Sequence, residues 1–154
     1  RKAVALLEIL VNKQVQQTTQ EKQANTSSTS QTLFNLKLLA YERIILFIER
    51  IKPDSFIPRT LSPSLPYQEY QLLLINEIRK EFEYNLSQQL YLSENAWEVT
   101  VNFKDNIITL INSAATSCPP QATAGDLARK ILEHYISSDL KGDQISKIVK
   151  AEIQ

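Results

Sequence analysis

Two glycines, one cysteine, one histidine and no methionine occur in 154 residues. Gly125 and Gly142, far apart and isolated, cannot supply hairpin turns or a Gly-rich phosphate loop, which argues against antiparallel sheet and against nucleotide binding by that route. Cys118 has no partner for a disulfide and no companions for a Cys-rich zinc site, so a reducing compartment is the default expectation. The lack of methionine, at the first position included, predicts that a segment precedes Arg1. Charge of one sign is missing too: 17 basic and 17 acidic side chains cancel. The pull toward phosphate that nucleic-acid binding needs is therefore absent, and no nucleic-acid partner is expected. Residues 1–11, "RKAVALLEILV", are interrupted by Glu8 and fall far short of the ~20 apolar residues that cross a bilayer. They are expected to form a short helix, or the end of a span that begins upstream.

What is plentiful is Leu, Ile, Gln, Glu and Lys, a balance that favours helix. Residues 12–32 are Gln, Thr and Ser with little to bury, and read as a polar linker reaching on the order of 25 Å as a coil. Residues 1–32 carry a net +2 and the remainder −2, a weak fit to a basic segment near a cytoplasmic membrane surface. From Leu33 to Ile51 apolar residues recur at 34, 38, 41, 45 and 48 and again at 36, 39, 44, 47 and 51. Such a wide apolar sector predicts a helix covered on most sides, the buried spine of the fold. Pro53 to Pro66 holds four of the six prolines and reads as a loop, with Ser64 as N-cap of a helix that has Pro66 in its first turn. That helix is expected to run to Tyr91, turning Leu74, Ile78, Phe82, Asn85 or Leu86 and Gln89 or Leu90 inward. Ser93 reads as the N-cap of the next, Glu94 to about Ser117, with Trp97, Val101, Ile107 or Ile108 and Ile111 on its inner stripe. Thr123 and Asp126 have capping-box spacing and open a helix to about Ser138, and Asp143 opens a last one.

The most distinctive stretch is "YNLSQQLYLSENAW", Tyr84 to Trp97. Leu92 precedes the expected cap Ser93, and Trp97 is the fourth helical position, the spacing of a hydrophobic staple. Asn85, Gln88 and Gln89 are amides at helical spacing that could satisfy carbonyls at a helix end. The sharper alternative has Tyr84, Asn85, Gln88 and Gln89 line a polar pocket.

The segments "LKLLAYERIILFIERIKPDSFIPR" and "INEIRKEFEYNLSQQLYLSENAW" resemble a family of uncharacterised proteins from Bacteroidota, over roughly residues 33–138. The resemblance implies one transmembrane helix upstream, a polar linker and a helical domain on the cytoplasmic side of the bacterial inner membrane. It implies no activity and no catalytic residue. Members often carry His at the position of Tyr84, so nothing assigned to that His transfers here.

A di-metal site would need inward carboxylates and Glu-x-x-His on two helices. Glu81 is instead followed three residues later by Tyr84, and His134 has Ile131, not Glu, three residues before it, so no metal and no cofactor are expected. His134 beside Glu133 lacks a nucleophile near it in sequence, and Cys118 lies at the negative end of a helix dipole, which works against a thiolate. The turn "SSDLKGD" resembles that of a helix-turn-helix, yet residues 126–154 balance five basic against five acidic side chains, without the excess that DNA demands. Glu42-Arg43 and Glu49-Arg50 recur seven residues apart, as salt bridges within the bundle or as a charged docking face.

The expected protein is an all-α antiparallel bundle of about five helices over residues 33–154, with residues 1–32 as helical segment and linker. Its leading functional reading is a non-catalytic, membrane-tethered accessory subunit of a larger membrane assembly. The alternatives are a ligand-binding or enzymatic bundle with a pocket near Asn85 and Gln88, and a soluble homo-oligomer built through the second or fourth helix.

Overall fold

The structure, a computed structural model, describes residues 4–10, 19–138, 140 and 142–152. The chain divides into two compact units, Arg1–Leu36 and Lys37–Gln154.

In the first unit, residues 4–10 form helix α1, on which Val4, Leu6, Leu7, Ile9 and Leu10 are all exposed. Helix α2 (Thr19–Ile51) begins here. Residues 19–32, expected as coil, are therefore helical, while residues 12–18 of the expected linker lie outside the described residues. Low apolar content removes a reason to pack but not the helix propensity of Gln, Glu, Lys and Ala. Local bonds support the turns: Thr32 Oγ1 donates to the Ser28 carbonyl at 2.9 Å and Gln31 Nε2 to Asn35 Oδ1 at 3.2 Å.

The second unit is all-α, with no named strand among the described residues. Its elements are the rest of α2, α3 (Pro53–Thr60), α4 (Tyr67–Tyr84), a 3-10 turn (Leu86–Tyr91), α5 (Glu94–Thr116), α6 (Ala124–Ser137) and α7 (Gly142–Ala151). Helix α5 packs against α4, α6 and α7, and α6 against α3 and α4. Periodicity sets the core. Tyr70, Leu74 and Ile78 project from one side of α4, and Phe103, Ile107, Leu110, Ile111 and Ala114 from one side of α5. They meet Ile44, Phe47, Ile48 and Ile51 of α2, Leu127 and Ile131 of α6 and Val149 of α7. Burying each large side chain of this kind contributes about 1.5–3 kcal/mol. Buried Thr100 donates its hydroxyl to the Ala96 carbonyl at 2.8 Å, so its polarity is satisfied.

Three local expectations are corrected. Pro53 opens a helix where a loop was expected, because the first helical position needs no N–H, and Phe56 and Ile57 anchor that helix in the core. Pro58, inside it, removes one hydrogen bond from a helix of only eight residues. Ser64 caps nothing: the N-cap of α4 is Pro66, and the chain there joins the start of α6 instead. The Tyr67 amide donates to the Ala122 carbonyl at 3.1 Å and the Ala124 amide to the Leu65 carbonyl at 2.7 Å, forming an isolated antiparallel bridge between Pro66 and Thr123. Finally, α4 stops at Tyr84 and the chain tightens into the 3-10 turn, which leaves Leu86 and Leu90 exposed and buries Gln88.

The other two expected caps form. Ser93 Oγ accepts the Ala96 amide at 3.0 Å. Thr123 and Asp126 make the reciprocal capping box, Asp126 Oδ2 accepting the Thr123 amide at 3.0 Å.

Candidate functional site

Helix α2 has two faces. Ala40, Tyr41, Ile44, Phe47, Ile48 and Ile51 are buried, as a spine requires. The opposite arc is not covered: Leu38, Leu39 and Leu46 are 40%, 47% and 52% exposed, and Glu42 and Arg43 between them are exposed as well. The expectation of a helix buried on most sides holds for the inward arc alone.

The two Glu-Arg pairs divide accordingly. Arg50 reaches across to α4 and donates to Glu81 Oε1 through Nε at 3.0 Å and Nη2 at 2.7 Å, while Arg59 Nη1 lies 3.8 Å from the same oxygen. Glu81 Oε2 is buried with no hydrogen-bond partner. Glu49 accepts from Lys52 at 2.9 Å and from Ser146 Oγ of α7 at 2.9 Å. The second pair thus ties α2 into the bundle. Glu42 and Arg43, one heptad earlier, form no hydrogen bond or ion pair among the described residues.

Between α2 and α4 lies an open cleft of about 440 Å³, lined by Arg43, Leu46, Phe47 and Arg50 on one side and Glu77, Lys80, Glu81, Tyr84 and Asn85 on the other. Its charged groups stand around a largely apolar surface. Tyr84 is 81% exposed at its edge. Asn85 closes the end of α4 by donating Nδ2 to the Glu81 carbonyl at 2.8 Å. Of the four residues considered for a polar pocket, Tyr84 and Asn85 line this cleft, whereas Gln88 and Gln89 are not among its lining. Gln88 is buried, its nearest side-chain partner being Ser87 Oγ at 3.5 Å, and Gln89 faces solvent.

The stretch that follows fastens helices together. The Ser93 amide donates to the Tyr41 hydroxyl of α2 at 3.2 Å. Trp97 stacks on Phe82 with ring centroids 5.4 Å apart, Phe82 meets Phe47 at 5.9 Å, and Lys104 Nζ lies 4.2 Å from the centre of the Phe82 ring. Leu92 and Trp97, at the staple positions, both pack against the core.

The groups weighed for catalysis do not converge. Cys118 is buried, with Sγ 3.7 Å from the Ala114 carbonyl, and burial pushes its thiol up, against a smaller opposing pull from Lys130. His134 lines a shallow depression with Ser137, but the Ser137 hydroxyl is turned to the carbonyls of Glu133 and His134. Among the described residues no group of three His, Cys, Asp or Glu side chains could hold a metal ion, and no helix is long and apolar enough to cross a membrane.

Fold and surface together define a small all-α domain with one two-faced helix bordering a charged cleft. The chain belongs to the family of unknown function DUF7935, matched over residues 2–154. No curated protein and no solved structure matches it.

Proposed function

We propose that this domain is a non-catalytic interaction module, an accessory subunit of a larger assembly in which the outward arc of α2 is a docking face. The observation that carries the reading is the outward arc of α2, where Leu38, Leu39 and Leu46 flank an unpaired Glu42 and Arg43. Apolar side chains grouped with unpaired charges at the end of a cleft have the make-up of an interface core and its rim. The finer reading is a bacterial, membrane-tethered subunit on the cytoplasmic side, of the Bacteroidota type. The exposed apolar side chains of α1 support attachment of that end of the chain to an apolar environment. The test is to tag the full-length protein at native abundance, extract membranes in mild detergent and identify co-purifying chains by mass spectrometry. Stoichiometric membrane proteins are expected; recovery in the soluble fraction without any second polypeptide chain overturns the accessory reading.

A second reading is favoured by the cleft itself. Arg43 and Lys80 beside Leu46 and Phe47 suit a small ligand with a carboxylate head and an apolar body. Titration with aliphatic carboxylates should then shift the NMR signals of Tyr84 and Asn85, and unchanged signals remove this reading.

A further inference from the structure

We infer that the face of α2 formed by Leu39, Glu42, Arg43 and Leu46 is a self-complementary seam that pairs antiparallel with the same face of a second copy of the chain. The inference rests on the docking reading above and names the occupant.

The four positions are spaced i, i+3, i+4 and i+7, which puts them on one helical stripe, and all four are exposed. Read from either end the stripe runs Leu, charge, charge, Leu, with the charges of opposite sign. A two-fold axis passing between residues 42 and 43 therefore sets Leu39 against Leu46 of the second copy and Glu42 against its Arg43, each contact being made twice, as an isologous interface requires. A parallel pairing in register would oppose Glu42 to Glu42 and Arg43 to Arg43. A uniformly acidic or basic partner helix would meet a like charge on one of the two. Antiparallel self-pairing satisfies both charges and covers both leucines.

The surroundings extend the seam. Leu38 borders it on one side. On the other, Arg43 and Leu46 open into the cleft whose far wall carries Lys80 and Tyr84, surface against which the second copy's helix can lie. A contact built on four leucines and two exposed ion pairs is small, so the dimer is expected to be weak and concentration-dependent.

The test is sedimentation velocity of the full chain up to near-millimolar concentration. The unaltered protein is expected to dimerise reversibly. Glu42→Arg and Arg43→Glu are each expected to weaken self-association by about tenfold or more, with unfolding midpoints unchanged because both side chains are exposed. The double variant E42R/R43E restores opposite charges in the same register and is expected to dimerise again. The two single variants, mixed in equal amounts, are expected to form a mixed dimer. A monomer at every concentration, single reversals without effect, or a double variant that stays monomeric overturns the inference. Photo-crosslinking from position 39 in cells separates this failure from that of the docking reading. Adducts to a different chain, with a monomer in solution, end the self-pairing and keep the docking; absence of adducts ends both.

Discussion

The Ser93 hydroxyl donates to Glu152 Oε2 at 2.9 Å, while Ser93 Oγ itself accepts the amide of Ala96 in the first turn of α5. One side chain thus caps a helix and holds the segment after α7, and its backbone amide reaches Tyr41 of α2. Losing the cap bond to the Ala96 amide in Ser93→Ala should cost about 1 kcal/mol. Urea unfolding monitored by helical circular dichroism measures this. A cost near zero would mean that the start of α5 is held by Leu92 and Trp97 alone.

Stability should fall at acid pH through two carboxylates. The Thr123 backbone amide lowers the Asp126 pKa most, and hydrogen bonds from Asn95 and then Ser93 lower that of Glu152. Both folded values lie below the unfolded ones, so their contribution is complete above the ordinary carboxylate range. It is lost as pH falls through the depressed folded values. Unfolding midpoints recorded from neutral to strongly acid pH should show a shallower acid limb for Asp126→Ala than for the unaltered protein.

Tyr70 works in the opposite direction. Burial raises its pKa and the hydrogen bond with Thr60 only partly offsets that. A folded value above the unfolded one means stability that is full below the ordinary phenol pKa and declines as pH rises through the folded value. Tyr70→Phe should flatten this alkaline decline in the same titration.

Phe82 joins Phe47 of α2 to Trp97 of α5. Truncation in Phe82→Ala should cost about 3 kcal/mol. Because Trp97 is the one tryptophan, its emission reports on the same site and should shift to the red. Arg50→Ala removes the bridge to Glu81 but leaves all three rings in place; because Arg50 is half-exposed, it should destabilise by about 1 kcal/mol or less, with a much smaller change in emission.

Cys118 should be inert while the protein is folded, since its thiol is buried and its pKa raised. A thiol-specific reagent should react no faster than the chain opens, and at full rate in denaturant. Fast labelling under native conditions would reopen a nucleophilic role.

What could be read from the sequence was mostly local. Ser93 and the Thr123-Asp126 box announced themselves because a cap depends on residues a few positions apart. The scarcity of glycine pointed to helices for an equally local reason. Helix α3 escaped because prolines usually mark loops; Pro53 suits a helix as its first residue, and only burial of Phe56 and Ile57 reveals that it occupies that place. The end of α4 at Tyr84 was hidden by apolar residues that continue to Leu90 at helical spacing. For the site, the repeated Glu-Arg pairs were visible, but not their division. Glu49 and Arg50 meet Ser146 and Glu81 from distant parts of the chain, while Glu42 and Arg43 meet nothing comparable. Periodicity registers leucines on both arcs of α2 alike and cannot say which arc the bundle covers.

The central claim is that the outward arc of α2 is an occupied interface in the cell. Its most direct test places a photo-reactive residue at Leu39, Leu46 or, as a control of comparable exposure, Leu72 of α4, in the full-length protein at native abundance. Discrete adducts from positions 39 and 46 and none from 72 are expected. Equal labelling at all three positions, or no adduct from either position on α2, would contradict the account.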